Sequence, residues 1–285
     1  MTASLPFVSV AIRSYRRLPQ LIELVQCVQR QEYPNFEIVV IEQSVEEREA
    51  YRDALNELAR DPRVRILEYP VLGAGGARDE AARRARGEIV LFVDDDDVPV
   101  GTEWLRAHAD NYSDPYCMAV TGRQLADEHE DSTRHDTRRN HRLCLRYSWL
   151  KMPRSRARHT LRIEGVTQIA GSNASIRKAA IERAGGWDHE RDHDEDSFNF
   201  RFARVKQRGE YFAYDPKPAI VRRLDVPGGV GRRQSSYLEL LRAELAFSHG
   251  VIRRYFPLRF YALYPLYWMV ALRQALIYSR RKAAS

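Results

Sequence analysis

The sequence predicts an α/β fold: a mainly parallel central sheet with helices on both faces, and a helical region at the C-terminal end. Three observations predict it. Strand and helix patterns alternate over the first 120 residues, and such alternation builds a parallel sheet wrapped by helices. The runs EIVVI (37–41) and IVLFV (89–93) are apolar throughout, as strands buried between two helical layers must be. Four aspartates, Asp94 to Asp97, follow the second run directly, and sheets of this kind bind ligands at the carboxyl ends of their strands.

The elements follow in order. FVSVAI (7–12) reads as a strand, and Leu18, Leu21, Ile22, Val25 and Val28 then recur at helical spacing. Pro34-Asn35 makes a turn into the strand 37–41. A helix is expected over 46–60, a strand over 63–67, and a glycine-rich turn (Gly73, Gly75, Gly76) opening a helix over 77–86. Beyond the aspartates, 117–121 suits a strand, and the Arg-rich stretch 127–162 has no clean period. Order returns at 171–177 and in a helix over 178–184 that stops at Gly185-Gly186, a usual helix terminator. A helix carries 196–207, VPGGVG (226–231) reads as a mobile loop, and 236–285 are helical, rich in aromatics flanked by arginines.

Composition narrows the function. The 285 residues are 44% apolar and 30% charged, which excludes wholesale disorder. The net charge of +7 is local: residues 134–162 hold ten Lys/Arg and one acid, so the rest sums to −2. A uniform nucleic-acid-binding coat is therefore not expected. Three widely spaced cysteines (Cys27, Cys117, Cys144) give no disulfide framework and suit a reducing cytoplasm. The N-terminus lacks the order of a signal peptide, and the longest uncharged run near the C-terminus, 260–272, is well short of the roughly 20 residues that span a bilayer. The expected location is cytoplasmic, or peripheral on the inner face of the membrane.

Adjacent carboxylates raise one another's pKa unless a cation or hydrogen-bond donors compensate. A divalent ion held by one or two carboxylates together with a diphosphate resolves that cost for Asp94 to Asp97. The other reading is an acidic turn that caps the next helix. The position at a strand's carboxyl end favours the metal.

FVSVAIRSYRR, EIVVIEQS, GAGGARDEAARRARGEIVLFVDDDDVP, GSNASIRKAAIERAGGWDHE and DEDSFNFR occur in this order over residues 7–205. Together they resemble the family 2 glycosyltransferases. That resemblance implies the GT-A fold, with a nucleotide-sugar-binding half (1–120), an acceptor-binding half (121–235) and the C-terminal aromatic and basic region (236–285). It implies that Asp94 and Asp96 are the D-x-D pair holding Mn2+ or Mg2+ on the donor diphosphate. It implies Asp196 as the general base and Arg201 as a structural or base-orienting group. On the donor side fall Arg13, Glu42 (where relatives place an Asp that accepts from the nucleotide base), Arg78 and Asp95. Asn173, Trp187 and Glu195 fall on the acceptor side.

The residues themselves leave several alternatives. Arg232 and Arg233, after the glycine-rich loop, suit either a lid closing over a diphosphate or a solvated loop. Trp187 suits stacking on a sugar or packing in the core, and Asn173 an acceptor contact or a turn. His189 and His193 read as surface histidines. The 134–162 stretch is a solvated face, or a site for a phosphate-rich acceptor or anionic leaflet. The C-terminal region suits a membrane interface, packing on the catalytic domain, or a homodimer contact. The expected function is inverting, metal-dependent transfer of one sugar from a nucleoside-diphosphate sugar to a hydroxyl, in surface-polysaccharide or lipid-linked glycan assembly. The absence of a Q-x-x-R-W pattern argues against processive synthesis. The alternatives are a nucleotidyltransferase, or a noncatalytic nucleic-acid- or membrane-binding protein.

Overall fold

The computed structural model describes residues 5–126, 129–154, 157–189, 193–223 and 237–283. Its first part alternates as expected: β1 (Val8–Ser14), α1 (Leu18–Gln29), β2 (Phe36–Glu42), α2 (Arg52–Leu58), β3 (Val64–Glu68), α3 (Gly73–Arg84) and β4 (Ile89–Asp94). There follow β5 (Asp97–Pro99), α4 (Trp104–Ala109), β6 (Cys117–Leu125), α5 (Arg138–Leu143) and a short hairpin of β7 (Arg146–Tyr147) and β8 (Pro153–Arg154). Next come β9 (Ile163–Val166), β10 (Ala174–Arg177), α6 (Lys178–Arg183), α7 (Asp194–Val205) and β11 (Tyr211–Arg222). The C-terminal region is helical, with α8 (Tyr237–Phe247), a π-helical turn (Ser248–Ile252), α9 (Arg253–Tyr255), α10 (Pro257–Ala262) and α11 (Tyr264–Ala283).

Nine strands form one sheet in the order β3-β2-β1-β4-β10-β6-β11-β5, with β9 also on β11. The first four are parallel, as their unbroken apolar runs require. Beyond them β10 runs antiparallel between β4 and β6, and β11 is parallel to β6. The register sets the site. Pairing of Arg13 with Asp94 across β1 and β4, and of Ser14 with Glu42 across β1 and β2, brings these residues to one edge of the sheet.

Alternate residues of the strands feed two cores. Val8, Val10 and Ile12 pack with Leu21, Leu24 and Trp104 on one face, while Ala11, Val39 and Ile41 pack with Ala77, Phe198 and Phe202 on the other. Three expectations shift. The 46–60 segment breaks into a 3-10 turn (Arg48–Tyr51) and α2. The glycines lie inside the first turn of α3, because Gly75 packs against the backbone of Asp188 too closely to admit a Cβ. The last long helix before β11 starts at Asp194, two residues early.

The Arg-rich stretch is partly neutralised from within. Glu130, its side chain almost wholly buried, accepts from Arg134 at 3.1 Å and from Arg158 at 3.2 Å, and Asp136 accepts from Thr160 N at 2.9 Å. It is thus more than a self-repelling face.

Asn173 ties the sheet to α4. It is fully buried and left-handed (φ 53°), a conformation asparagine tolerates better than most residues. Its Oδ1 accepts from Trp104 Nε1 at 2.8 Å and from His108 Nε2 at 3.0 Å, and its amide donates to the carbonyls of Arg123 and Pro218. The network assigns the neutral Nε2–H tautomer to His108, whose Nδ1 accepts from Ser175 Oγ, itself an acceptor from Tyr112 Oη. Burial pushes His108 down to about 4. A histidine depressed in the folded state contributes stability above its unfolded pKa of about 6.5, and that stability is lost as pH falls toward 4. Of order 3 kcal/mol is at stake. The stability gap between wild type and His108→Gln in urea denaturation should therefore narrow from pH 7.5 to pH 4.5, and a gap independent of pH would contradict this account.

Candidate active site

The carboxyl end of β4 gathers charge from the whole sheet. Asp94, Asp96 and Asp97 offer carboxylate oxygens within 4.8 Å of one another. Four arginines from separate elements surround the run. Arg13 on β1 donates through Nε to Asp94 at 2.9 Å. Arg17, the N-cap of α1, lies 3.1 Å from Asp95 and 2.7 Å from Asp96. Arg222, at the end of β11, makes a two-pronged contact with Asp97, both bonds 2.9 Å, and comes within 3.9 Å of Asp94. Arg78 on α3 lies 3.9 Å from Asp94. Ser172 accepts from the Asp94 N–H at 2.9 Å and donates to Asp97, which ties this run to the loop before β10.

Arg78 also reaches α7, donating to Asp194 at 2.6 Å and to Glu195 at 3.4 Å. A Cβ at Gly171 would lie 2.5 Å from Arg78 Nη2 and 2.9 Å from Glu195 Oε1, so a larger residue there would displace the ends of this bridge. The three α7 carboxylates differ in access. The Glu195 side chain is 33% exposed, against 3% for Asp194 and 8% for Asp196.

Electrostatics separate these acids. Burial disfavours ionisation of Asp94, but Arg13, Arg78 and Arg222 together outweigh it and hold the group low, at about 2. Burial pushes Asp95 up to about 6 against the pull of Arg17, and raises Asp97 against that of Arg222. On α7, burial pushes Asp194 up to about 6. For Glu195 burial acts in the same direction, but Arg78 and a hydrogen bond from Asp194 outweigh it and keep the group below its ordinary range. Asp94, Asp96 and Asp97 present carboxylate oxygens alone, a donor set that fits a hard divalent cation such as Mg2+ or Mn2+.

Several expected site residues lie elsewhere in role. Asp196 is buried and accepts from Tyr147 Oη at 2.6 Å, so its carboxylate is engaged with Tyr147 rather than with the Arg78 bridge. Trp187 is a core residue: its ring stacks on Phe198 at 4.8 Å, meets the edge of Phe92 and carries the Arg78 guanidinium on its face, leaving no face for a sugar. Asn173 is the buried hub described above, with its polar atoms spent on protein. Asp95 turns to Arg17 and stands outside the Asp94–Asp96–Asp97 group. Arg201 donates to the carbonyls of Ala184, Gly185 and Gly186, a structural clamp on the end of α6. Arg232, Arg233 and the loop before them lie outside the described residues. Arg17 and Ser172 lie within FVSVAIRSYRR and GSNAS but neither motif marks them as site residues. Arg222 has no local signal at all, because only the β5–β11 pairing brings it to Asp97.

The profile of the "Glycosyl transferase family 2" matches residues 9–185, from β1 to just beyond α6. The chain belongs to glycosyl transferase family 2. This sets aside the nucleotidyltransferase and noncatalytic readings. Among curated relatives, this family 2 chain is 31% identical over 96 residues to the colanic acid biosynthesis glycosyl transferase WcaA of Escherichia coli K12, covering 32% of this chain and 33% of that one. It is 35% identical over 97 residues to an N-acetylglucosaminyltransferase of Rhizobium leguminosarum bv. phaseoli, covering 33% and 23%. The matches thus span a third or less of those relatives. Among solved structures, the mannosyltransferase PcManGT from Pyrobaculum calidifontis, in complex with GDP-Man and Mn2+, superposes with a TM-score of 0.63 at 20% identity, over 99% of this chain and 76% of that one. S. aureus TarS 1–349, in complex with UDP-GlcNAc, gives 0.53 at 18% identity, over 85% and 66%. These likenesses are of fold, and the fold is GT-A.

Glu42 is wholly buried at the end of β2. It accepts from Arg48 Nε at 2.5 Å and from the Ser44 N–H, and Arg48 also reaches Glu68 at 3.1 Å. The surrounding cleft is lined instead by Tyr15, Arg16, Gln43, Ser44, Glu46 and Val71. Removing the partner of a buried charge costs about 3–5 kcal/mol. Arg48→Ala should lower stability by that amount in urea denaturation. A loss confined to nucleotide affinity would instead mean that Glu42 is free to read the base.

Proposed function

We propose that this chain is an inverting glycosyltransferase that moves one sugar from a nucleoside-diphosphate sugar to an acceptor hydroxyl, with Glu195 as general base. The acceptor is a glycan or lipid-linked hydroxyl, in surface-polysaccharide or related glycan assembly. The observation that carries this reading is the Arg78 bridge, which sets an accessible carboxylate on α7 opposite the aspartates that end β4. Donor diphosphate and acceptor base thereby share one arginine.

Asp94 and Asp96 would hold a Mn2+ or Mg2+ ion, which when bound neutralises charge on the donor diphosphate. Arg13, which donates to Asp94, would orient that end of the donor. Glu195, kept ionised, takes the proton of the acceptor hydroxyl as its oxygen attacks the anomeric carbon and the bond to the diphosphate oxygen breaks on the opposite side. One such displacement inverts the anomeric centre and needs one base, unlike the two carboxyls of a glycosidase. The acceptor proton becomes acidic only as the new bond forms, so a carboxylate below its ordinary pKa range still serves. Asp196 becomes a positioning residue, fixing Tyr147 against the start of α7. The likeness to PcManGT in complex with GDP-Man and to TarS in complex with UDP-GlcNAc supports a nucleotide-sugar donor.

A panel of UDP-, GDP-, dTDP- and CDP-sugars identifies the donor, read first by thermal shift. A ligand at 100 Kd stabilises by about 2.7 kcal/mol. With that donor, Glu195→Gln should keep donor affinity and lose about 10²–10⁴ in the rate of nucleoside-diphosphate release. Asp196→Asn should keep most of that rate. The reverse pattern would return the base to Asp196.

A further inference from the structure

The C-terminal helices carry a second apolar surface. Their inner side is a closed cluster. Phe247, Val251, Ile252, Tyr255, Phe260 and Tyr267 pack with Phe200 of α7. Three polar contacts lock this cluster to the catalytic half: Tyr255 Oη to Ser197 Oγ at 2.7 Å, Arg254 to Asp188 at 2.8 Å, and Arg204 to the Tyr255 carbonyl at 2.8 Å.

The outer side is apolar as well. On α11, Tyr267, Ala271 and Ala275 are buried at i, i+4 and i+8, while Trp268, Met269 and Leu272 mark a separate exposed face. On α10, Leu258 is 87% exposed and Tyr261 67%. Beside them Arg259 donates to the carbonyl of Trp149, a residue 63% exposed. Monomeric soluble proteins rarely leave large contiguous apolar patches uncovered.

Charge decides what covers this face. Residues 245–285 hold seven Lys/Arg and no Asp or Glu. A second copy docked symmetrically would bring two basic segments together, with no carboxylate in either to separate them. An anionic lipid surface meets the same segment with opposite charge, takes Trp and Tyr at its headgroup level, and lets arginine stems lie along the apolar boundary. No described helix is long and apolar enough to cross a membrane, so the fitting arrangement is a helix lying in the interface plane.

We propose that the exposed face of α10 and α11, with Trp149, is a docking surface for an anionic bilayer. The inner cluster then holds α7 at a fixed angle to the membrane, with Glu195 at its first turn. This inference stands on the surface alone and does not depend on the donor or base assigned above.

The test uses the full chain and vesicles of phosphatidylcholine, with or without one part in three phosphatidylglycerol. The wild type should float with the anionic vesicles and bind the neutral ones more weakly. Leu258→Glu/Tyr261→Glu/Leu272→Glu, all at exposed positions, should keep the melting temperature and lose at least about tenfold in partitioning. Acyl-chain-brominated lipid should quench wild-type tryptophan emission, and Trp268→Phe should remove part of that quenching. The quenching needs no charge insertion and decides the matter if the triple variant fails to fold. Three results would overturn the proposal: no flotation with anionic vesicles, equal flotation of the folded triple variant, or a wild-type dimer in sedimentation equilibrium that the triple variant dissociates without any vesicle binding.

Discussion

Four carboxylates at the end of one buried strand cannot stand unaided, and the compensation of Asp94 to Asp97 by arginines organises this molecule. The guanidiniums come from β1, the cap of α1, α3 and the end of β11. They converge only because the sheet order places β4 beside β1 and brings the end of β11 to β5. Topology and site are thus one arrangement: a sheet that mispaired β5 and β11 would leave Asp97 buried without its counter-charge, a cost of several kcal/mol. Arg78 is shared with Asp194 and Glu195, and the clustered oxygens of Asp94, Asp96 and Asp97 are what suit the run to a cation.

Arg78 extends this logic to α7. Buried among Asp94, Asp194 and Glu195, it links the charge of the aspartate run to that of the first turn of α7. Gly171 leaves it room, and the next two residues divide the remaining work. Ser172 fixes the aspartate run, whereas Asn173 fixes α4 to the sheet. A single loop before β10 therefore holds both the aspartate run and α4, through two adjacent side chains.

Much of the architecture was legible in the sequence because it is written in local patterns. The apolar runs of β2 and β4 announce strands buried on both faces, and the aspartates after β4 announce the ligand-binding end. Pairing is not local. Nothing near Arg222 points to Asp97, and nothing in the run DEDSFNFR tells which carboxylate faces the cleft: one residue along a helix turns a side chain by about 100°. Starting α7 at Asp194 rather than Asp196 sends Asp196 to Tyr147 and Glu195 to Arg78. Trp187 and Asn173 misled for a related reason, since a motif records which residues gather at a site and not which of them are spent on holding it together.

The aspartate run at the end of β4 is proposed to bind a diphosphate together with a divalent cation. Isothermal titration of the wild-type chain with UDP and with GDP, in Mn2+ and then in EDTA, tests it most directly. The account predicts binding of at least one of the two nucleotides in Mn2+, its loss in EDTA, and its loss in Asp96→Ala at an unchanged melting temperature. Equal affinity in Mn2+ and EDTA would contradict it, and would mean that Arg13, Arg17, Arg78 and Arg222 hold the diphosphate alone.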